Sequence, residues 1–220
     1  MKYILYYSPG AASFAVHWML VHINESIDAV RVDLDSGAQH RGEYRHLNPM
    51  GRVPTLIIDG APRGESTALL MLLAERHPEA DLAPSPGSAD RAQWMELMIY
   101  LANTLLPAMR DWFYADVDGA GIDADHVRSL ARKRIEEVWV RLDNNLANAN
   151  GYLVGEKLST VDFLAIMLMR WSRDMPRPAT DWPHVLAYVT KLRALSSFIE
   201  VNEKEGLRGW NNSVGVAIDC

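Results

Sequence analysis

The sequence predicts an α/β domain followed by an all-helical domain. Three observations carry this. Strand and helix patterns alternate over residues 1–80, the stretch Leu82-Ala83-Pro84-Ser85-Pro86-Gly87-Ser88 interrupts every regular pattern, and only helical periodicity follows it. The expected organisation is therefore a first domain at 1–80, a linker at 81–90, a helical domain at 91–207 and a tail at 208–220.

Taken in order, Tyr3-Ile4-Leu5-Tyr6 is a short apolar, β-prone run ended by Ser8-Pro9-Gly10, a buried strand and its turn. Val16, Met19, Leu20 and Ile23 fall at i, i+3, i+4 and i+7, one face of a helix. Ala29 to Leu34 is a second strand, and a helix between two strands implies a parallel pair joined by a crossover. Arg41 to Leu47 reads as a short helix or an irregular turn. Thr55 to Ile58 is a third strand, Asp59-Gly60 a hairpin turn and Ala61 to Arg63 a fourth strand. Glu65 to His77 carries Leu69, Leu72 and Leu73 at helical spacing before Pro78.

Beyond the linker, Trp94, Leu97, Met98, Leu101, Leu105 and Met109 hold one face over a long helix, with Pro107 as a kink. Ala131, Ile135, Val138, Leu142, Leu146 and Ala149 mark a second helix. Ser159 to Asp162 resembles a capping box before Phe163 to Met167, and Val185, Tyr188, Val189, Leu192 and Leu195 mark a further helix. The stretch after Gly206 reads as polar and extended.

Composition narrows the function. Hydrophobic residues are 49% and charged residues 23%, ordinary for a folded chain of 220 residues. The single cysteine, Cys220, excludes an intrachain disulfide, a cysteine-rich zinc or iron–sulfur site and a Cys-x-x-Cys redox pair. The net charge of −6 argues against a nucleic-acid partner. No run approaches the ~20 apolar residues of a membrane helix, and Pro9-Gly10 ends the first apolar stretch too early for a signal peptide, so a cytoplasmic protein with no membrane partner is expected. The seven histidines are scattered without metal-ligand spacing, so no metal is expected. The glycine patterns of nucleotide loops and the GxSxG elbow are absent.

The motifs carry a resemblance. Asn48-Pro49-Met50-Gly51-Arg52-Val53-Pro54-Thr55-Leu56, followed by Glu65-Ser66, resembles the glutathione-binding signature of the cytosolic glutathione transferases. Tyr6 to Ser13 resembles the opening of their bacterial beta-class branch, and Ser159 to Asp162 the capping box of their helical-domain core helix. The resemblance covers about residues 1–207, with its motifs in the expected order. It implies a thioredoxin-like first domain, an all-α second domain, a homodimer, and glutathione as co-substrate.

The same resemblance assigns residues. A cis proline at Pro54 would leave the backbone of Val53 free to pair with the cysteinyl part of glutathione like an added strand. Glu65 would meet the ligand ammonium, and Ser66 with its N–H, at a helix N-terminus, the γ-glutamyl carboxylate. Both would also serve as helix caps. Arg52 is the first cation for the glycyl carboxylate, with His40 and Arg41 behind it.

Thiols titrate near pH ~8.5, so the sulfur needs a donor that favours thiolate. Ser13, at the start of the first helix, and Tyr7 are the candidates; against these stand a plain N-cap and a core aromatic. The electrophile pocket is expected between the domains, with Asn103 as a donor and Trp112, Phe113 and Tyr114 as lining or core. Two departures from the beta-class pattern stand out. Ala12 replaces the branch cysteine, and Leu101-Ala102-Asn103-Thr104 offers no counterpart to its histidine and lysine.

The expected function is conjugation of the glutathione thiolate to a hydrophobic electrophile. The alternatives are a non-catalytic glutathione-binding or regulatory protein, or a glutathione-dependent isomerase, peroxidase or lyase.

Overall fold

The computed structural model of the chain describes residues 3–118 and 123–210. It forms two compact units, Met1–Leu82 together with Leu192–Cys220, and Ala83–Lys191.

In the first unit, β1 (Tyr3–Tyr7) leads through α1 (Phe14–His22) to β2 (Ile27–Arg31). Then follow α2 (Gly42–Leu47), β3 (Thr55–Ile58), β4 (Ala61–Arg63) and α3 (Ser66–Arg76). The sheet order is β2-β1-β3-β4. β1 and β2 are parallel, with Tyr3 opposite Ile27 and Tyr7 opposite Arg31. β3 is antiparallel to β1, and β4 to β3. The hairpin between β3 and β4 turns on Asp59 and Gly60, both at positive φ (52° and 78°), as the Asp-Gly pair predicts. Arg41 to Leu47 resolves as a helix, β2 begins and ends earlier than the expected Ala29 to Leu34, and the other strands and helices up to α3 lie close to where the patterns put them.

The α1 helix is buried from Phe14 through Val21, on every face rather than one. The reason is a helix that the periodicity does not reveal, α10 (Ser196–Lys204), which packs on α1. The Trp18 indole donates to Ser197 Oγ at 3.1 Å, and the Trp18 and Phe198 rings meet edge to face at 5.1 Å. The sequence signal of α10 is weak because its buried hydrophobics are only Phe198 and Val201, one i, i+3 pair.

The second unit is helical: α4 (Arg91–Tyr100), α5 (Leu106–Phe113), α6 (Ala115–Asp118), α7 (Ala124–Ala147), α8 (Thr160–Trp171) and most of α9 (Pro183–Arg193). The single kinked helix expected around Pro107 is instead α4 and α5 joined by one π-helical turn, Leu101–Leu105. Proline has no N–H to donate and crowds the carbonyl four residues back, here that of Asn103; a widened turn relieves both conflicts. The α8 helix is buried from Thr160 through Arg170. Its capping box forms: the Asp162 carboxylate accepts the Ser159 N–H at 2.8 Å and the Ser159 hydroxyl at 3.2 Å. The same carboxylate accepts the Leu153 N–H at 3.1 Å and the Tyr188 hydroxyl at 2.8 Å, tying α8 to its preceding loop and to α9. Among the described residues no helix is long and apolar enough to cross a membrane.

Candidate active site

The residues that the sequence singles out in the first unit gather around the end of β1. The Val53–Pro54 bond is cis and enters β3. Val53 is buried with Val32 and Tyr44, with Tyr6, Ala11 and Leu47 against them. The Arg52 carbonyl accepts the Tyr44 hydroxyl at 2.5 Å and the Asn48 Nδ2 at 2.8 Å. Both side chains also reach Thr55 Oγ1, at 3.0 and 3.2 Å, and Asn48 Oδ1 accepts the Met50 N–H at 3.1 Å. Asn48 thus fastens both sides of the loop that it begins. With the Arg52 carbonyl engaged, the N–H and C=O of Val53 make no hydrogen bond among the described residues. Gly51 is required here: it lies at φ +62°, and a Cβ would fall 2.5 Å from His40 Nδ1. The positioning roles of Tyr44 and Asn48 went unread in the sequence, although Asn48 opens the motif.

Glu65 directly precedes α3 and sits at φ 64°, ψ 101°, a conformation that costs a non-glycine residue about 1–3 kcal/mol. Its exposed side chain does not cap the helix and makes no hydrogen bond among the described residues. Capping therefore does not explain it. Ser66 is buried, and its hydroxyl donates to the Ala12 carbonyl at 2.7 Å, which joins the start of α3 to the start of α1. Gly64 brings this segment beside the proline loop, since a Cβ there would lie 3.7 Å from Asn48 Nδ2 and 3.8 Å from the Pro54 carbonyl oxygen.

At the start of α1, Ser13 is fully buried. Its hydroxyl donates to the Ser8 carbonyl and accepts the Ser8 N–H, both at 3.1 Å. In this arrangement its hydrogen is committed to the turn and faces no solvent. The N–H groups of Ala12 and Ser13, in the turn before α1, donate to no described residue. Tyr7, a half-buried residue, rests its ring on His17 at 5.1 Å, and its hydroxyl has no hydrogen-bond partner among the described residues. Burial, reinforced by the Glu205 carboxylate and opposed by the Arg31 guanidinium, pushes the Tyr7 phenol above its ordinary range. It stays protonated, as a donor must. Ala12 is half-buried where a branch cysteine would stand, so this position itself carries no thiol.

Among the cations, Arg41 is turned back on its own loop, its guanidinium donating to the Ser36 and Gly37 carbonyls. His40 lies against Gly51. Arg52 is exposed, and its guanidinium is unengaged among the described residues. In the second unit, Asn103 is exposed within the π-helical turn. Phe113 and Tyr114 are exposed too, so they do not belong to the core. Trp210 is buried, with the Arg193 guanidinium 5.0 Å from its ring; Cys220 lies outside the described residues.

A mixed four-stranded sheet with a cis-proline loop, followed by an all-helical domain, defines the two-domain fold of thioredoxin-like type. Residues 1–75 match the family model for the glutathione S-transferase N-terminal domain, and residues 124–195 that for the C-terminal domain. The chain belongs to the glutathione S-transferase family, a family of enzymes. It is 24% identical over 206 residues to glutathione S-transferase GstA of Escherichia coli O157:H7, covering 93% of this chain and 99% of the relative. It is 29% identical over 203 residues to maleylacetoacetate isomerase of Dictyostelium discoideum, covering 90% and 92%. Among solved structures, a sphingomonad glutathione S-transferase in complex with glutathione matches with a TM-score of 0.81 at 27% identity, covering 94% of this chain and all of the other.

Proposed function

We propose that this chain is a glutathione transferase that adds the glutathione thiolate to a small hydrophobic electrophile. The observation that carries the reading is the cis Val53–Pro54 edge, with the Val53 backbone groups unengaged among the described residues, beside Gly64, the residue before Glu65 with its unspent carboxylate at the start of α3. A peptide with a cysteinyl centre and a zwitterionic γ-glutamyl end needs these two features.

In this reading the Val53 N–H and C=O pair with the cysteinyl backbone of glutathione. Glu65 takes the ammonium, the Ser66 N–H takes the γ-glutamyl carboxylate, and Arg52 takes the glycyl carboxylate. Glutathione supplies the nucleophile. The Tyr7 hydroxyl and the N–H groups of Ala12 and Ser13 stabilise its sulfur as thiolate, and the released proton passes to solvent. The Ser13 hydroxyl acts one step back, by holding Ser8 and so the shape of the turn. The sulfur lone pair forms the new S–C bond, and the leaving group departs with its bonding electrons. The helical unit, Ala83–Lys191, takes the electrophile, with Asn103 as an exposed amide donor. A cytoplasmic homodimer is the form in which we expect it to act.

A second reading, glutathione-dependent isomerisation, draws on the relatives named maleylacetoacetate isomerase. It uses the same thiolate, which adds to a double-bonded carbon and leaves again after rotation, so no group is lost.

Immobilised glutathione and two substrates test both readings. Retention on the resin, with turnover of an aryl halide, is the expected result. Retention with turnover of maleylacetoacetate alone would move the assignment to isomerase. No retention at millimolar free glutathione affinity would sink both.

A further inference from the structure

The turn that opens α1 is held by a residue 195 positions away. Glu205 accepts the Gly10 N–H on Oε2 at 2.8 Å and meets His17 Nδ1 through Oε1, also at 2.8 Å. The two side chains are enclosed, 0% exposed for Glu205 and 2% for His17. His17 in turn supports the Tyr7 ring. Just beyond, the chain reverses at Gly206, and the Leu207 N–H returns to the Asn202 carbonyl at 2.8 Å. Leu207 thereby comes within 3.5 Å of where a Gly10 side chain would begin.

Local energetics do not account for this glutamate. It is the C-terminal cap of α10, where the helix already presents unpaired carbonyls and a carboxylate is unfavourable. Burying a carboxylate is costly in its own right unless hydrogen bonds and opposite charge compensate. Both compensating partners lie within residues 10–17, the segment that carries the proposed sulfur donors.

We infer that Glu205 is a positioning residue of the sulfur site. Through Gly10 on one side and His17 with Tyr7 on the other, it holds the turn so that the Ala12 and Ser13 N–H groups and the Tyr7 hydroxyl converge on a bound thiolate. The inference deepens the glutathione reading and rests on it.

Two variants of the full chain separate reach from charge. Glu205→Asp keeps the charge but withdraws the carboxylate by about 1.5 Å, one carbon–carbon bond. Glu205→Gln keeps the reach and an acceptor for Gly10 but loses the charge. Hydrogen exchange without ligand, steady-state kinetics, and thiolate absorbance of bound glutathione against pH are read for each.

In Glu205→Asp, exchange within residues 8–14 should quicken about tenfold while residues 53–66 hold their rate. Its kcat should fall about tenfold with the glutathione KM changed less than about threefold, because the peptide-binding groups are untouched. The bound thiol should ionise at higher pH, nearer the free value of about 8.5. Glu205→Gln should stay close to wild type on all three measures. Should the Asp variant not fold, His17→Phe, which removes the contact to Oε1 alone, is read on the same measures with the same expectation.

Wild-type exchange, kcat and thiol ionisation in the impaired-reach variant would overturn the inference, as would quickened exchange with unchanged kcat and thiol ionisation. An impaired Gln variant beside a normal Asp variant would overturn it too, since charge rather than position would then matter. A wild-type protein that binds no glutathione is a different result: it removes the glutathione reading itself, while the exchange comparison still reports on the turn.

Discussion

The hydroxyl of Ser13 is held between the N–H and the C=O of Ser8, whereas that of Tyr7 has no hydrogen-bond partner in the described chain. The two residues should therefore respond differently to loss of oxygen. Ser13→Ala strands the buried N–H of Ser8, whose carbonyl still accepts the Ala11 N–H, and we expect a loss of about 1–3 kcal/mol in urea unfolding. Tyr7→Phe keeps the ring on His17 and removes only the donor. Its melting temperature should stay near wild type while kcat/KM falls on the order of 10–100-fold. If Ser13→Ala instead abolished turnover at unchanged stability, the hydroxyl would be the direct sulfur donor. Sequence reasoning could name both residues, because each lies beside the Pro-Gly turn. It could not rank them, because the ranking depends on where one proton points.

At the scale of elements, the N-terminus of α9 is capped by distant chain rather than by a neighbour. The Asp143 carboxylate, from α7, accepts the N–H groups of His184 and Val185 at 2.8 and 3.0 Å and pairs with His184 Nδ1 at 2.9 Å. It closes the N-terminus of α9, where a negative charge is favourable. Burial pushes this carboxyl up, but the His184 ring and the two N–H groups outweigh it and leave it below the usual carboxylate range. A depressed folded value means stability that is present above the unfolded pKa of about 3.9 and lost as pH falls through the folded value. Asp143→Ala should lower unfolding free energy by about 1–3 kcal/mol at neutral pH, and the difference from wild type should shrink on acidification. Equal stabilities at neutral pH would show that the cap contributes nothing. Neither partner was legible beforehand, since 41 residues separate them and neither belongs to a motif.

At the scale of the molecule, glutathione binding should be visible as stability. At a glutathione concentration of about 100 times Kd, a ligand that binds only the folded state adds about 2.7 kcal/mol. For a chain of this size that corresponds to a rise in Tm of roughly 5–10 °C. Differential scanning fluorimetry measures it, and a flat response at saturating glutathione would argue against the site.

Read alone, the sequence determined most of the order of elements, the family resemblance, and the residues proposed to face glutathione. Strand alternation, turn chemistry at Asp59-Gly60 and the motif from Asn48 to Leu56 are all local, and local patterns survive in one dimension. It did not reveal that α1 is buried on all sides, that α10 covers it, or that Glu205 reaches Gly10 and His17. Those follow from which surfaces meet, and a buried carboxylate is indistinguishable from an exposed one until its partners are in place. The chain has one cysteine, Cys220, outside the described residues, and none among residues 8–13 of the turn. Tertiary structure added what holds that turn in its place: a buried glutamate whose hydrogen-bond partners, Gly10 and His17, lie near the opposite end of the chain.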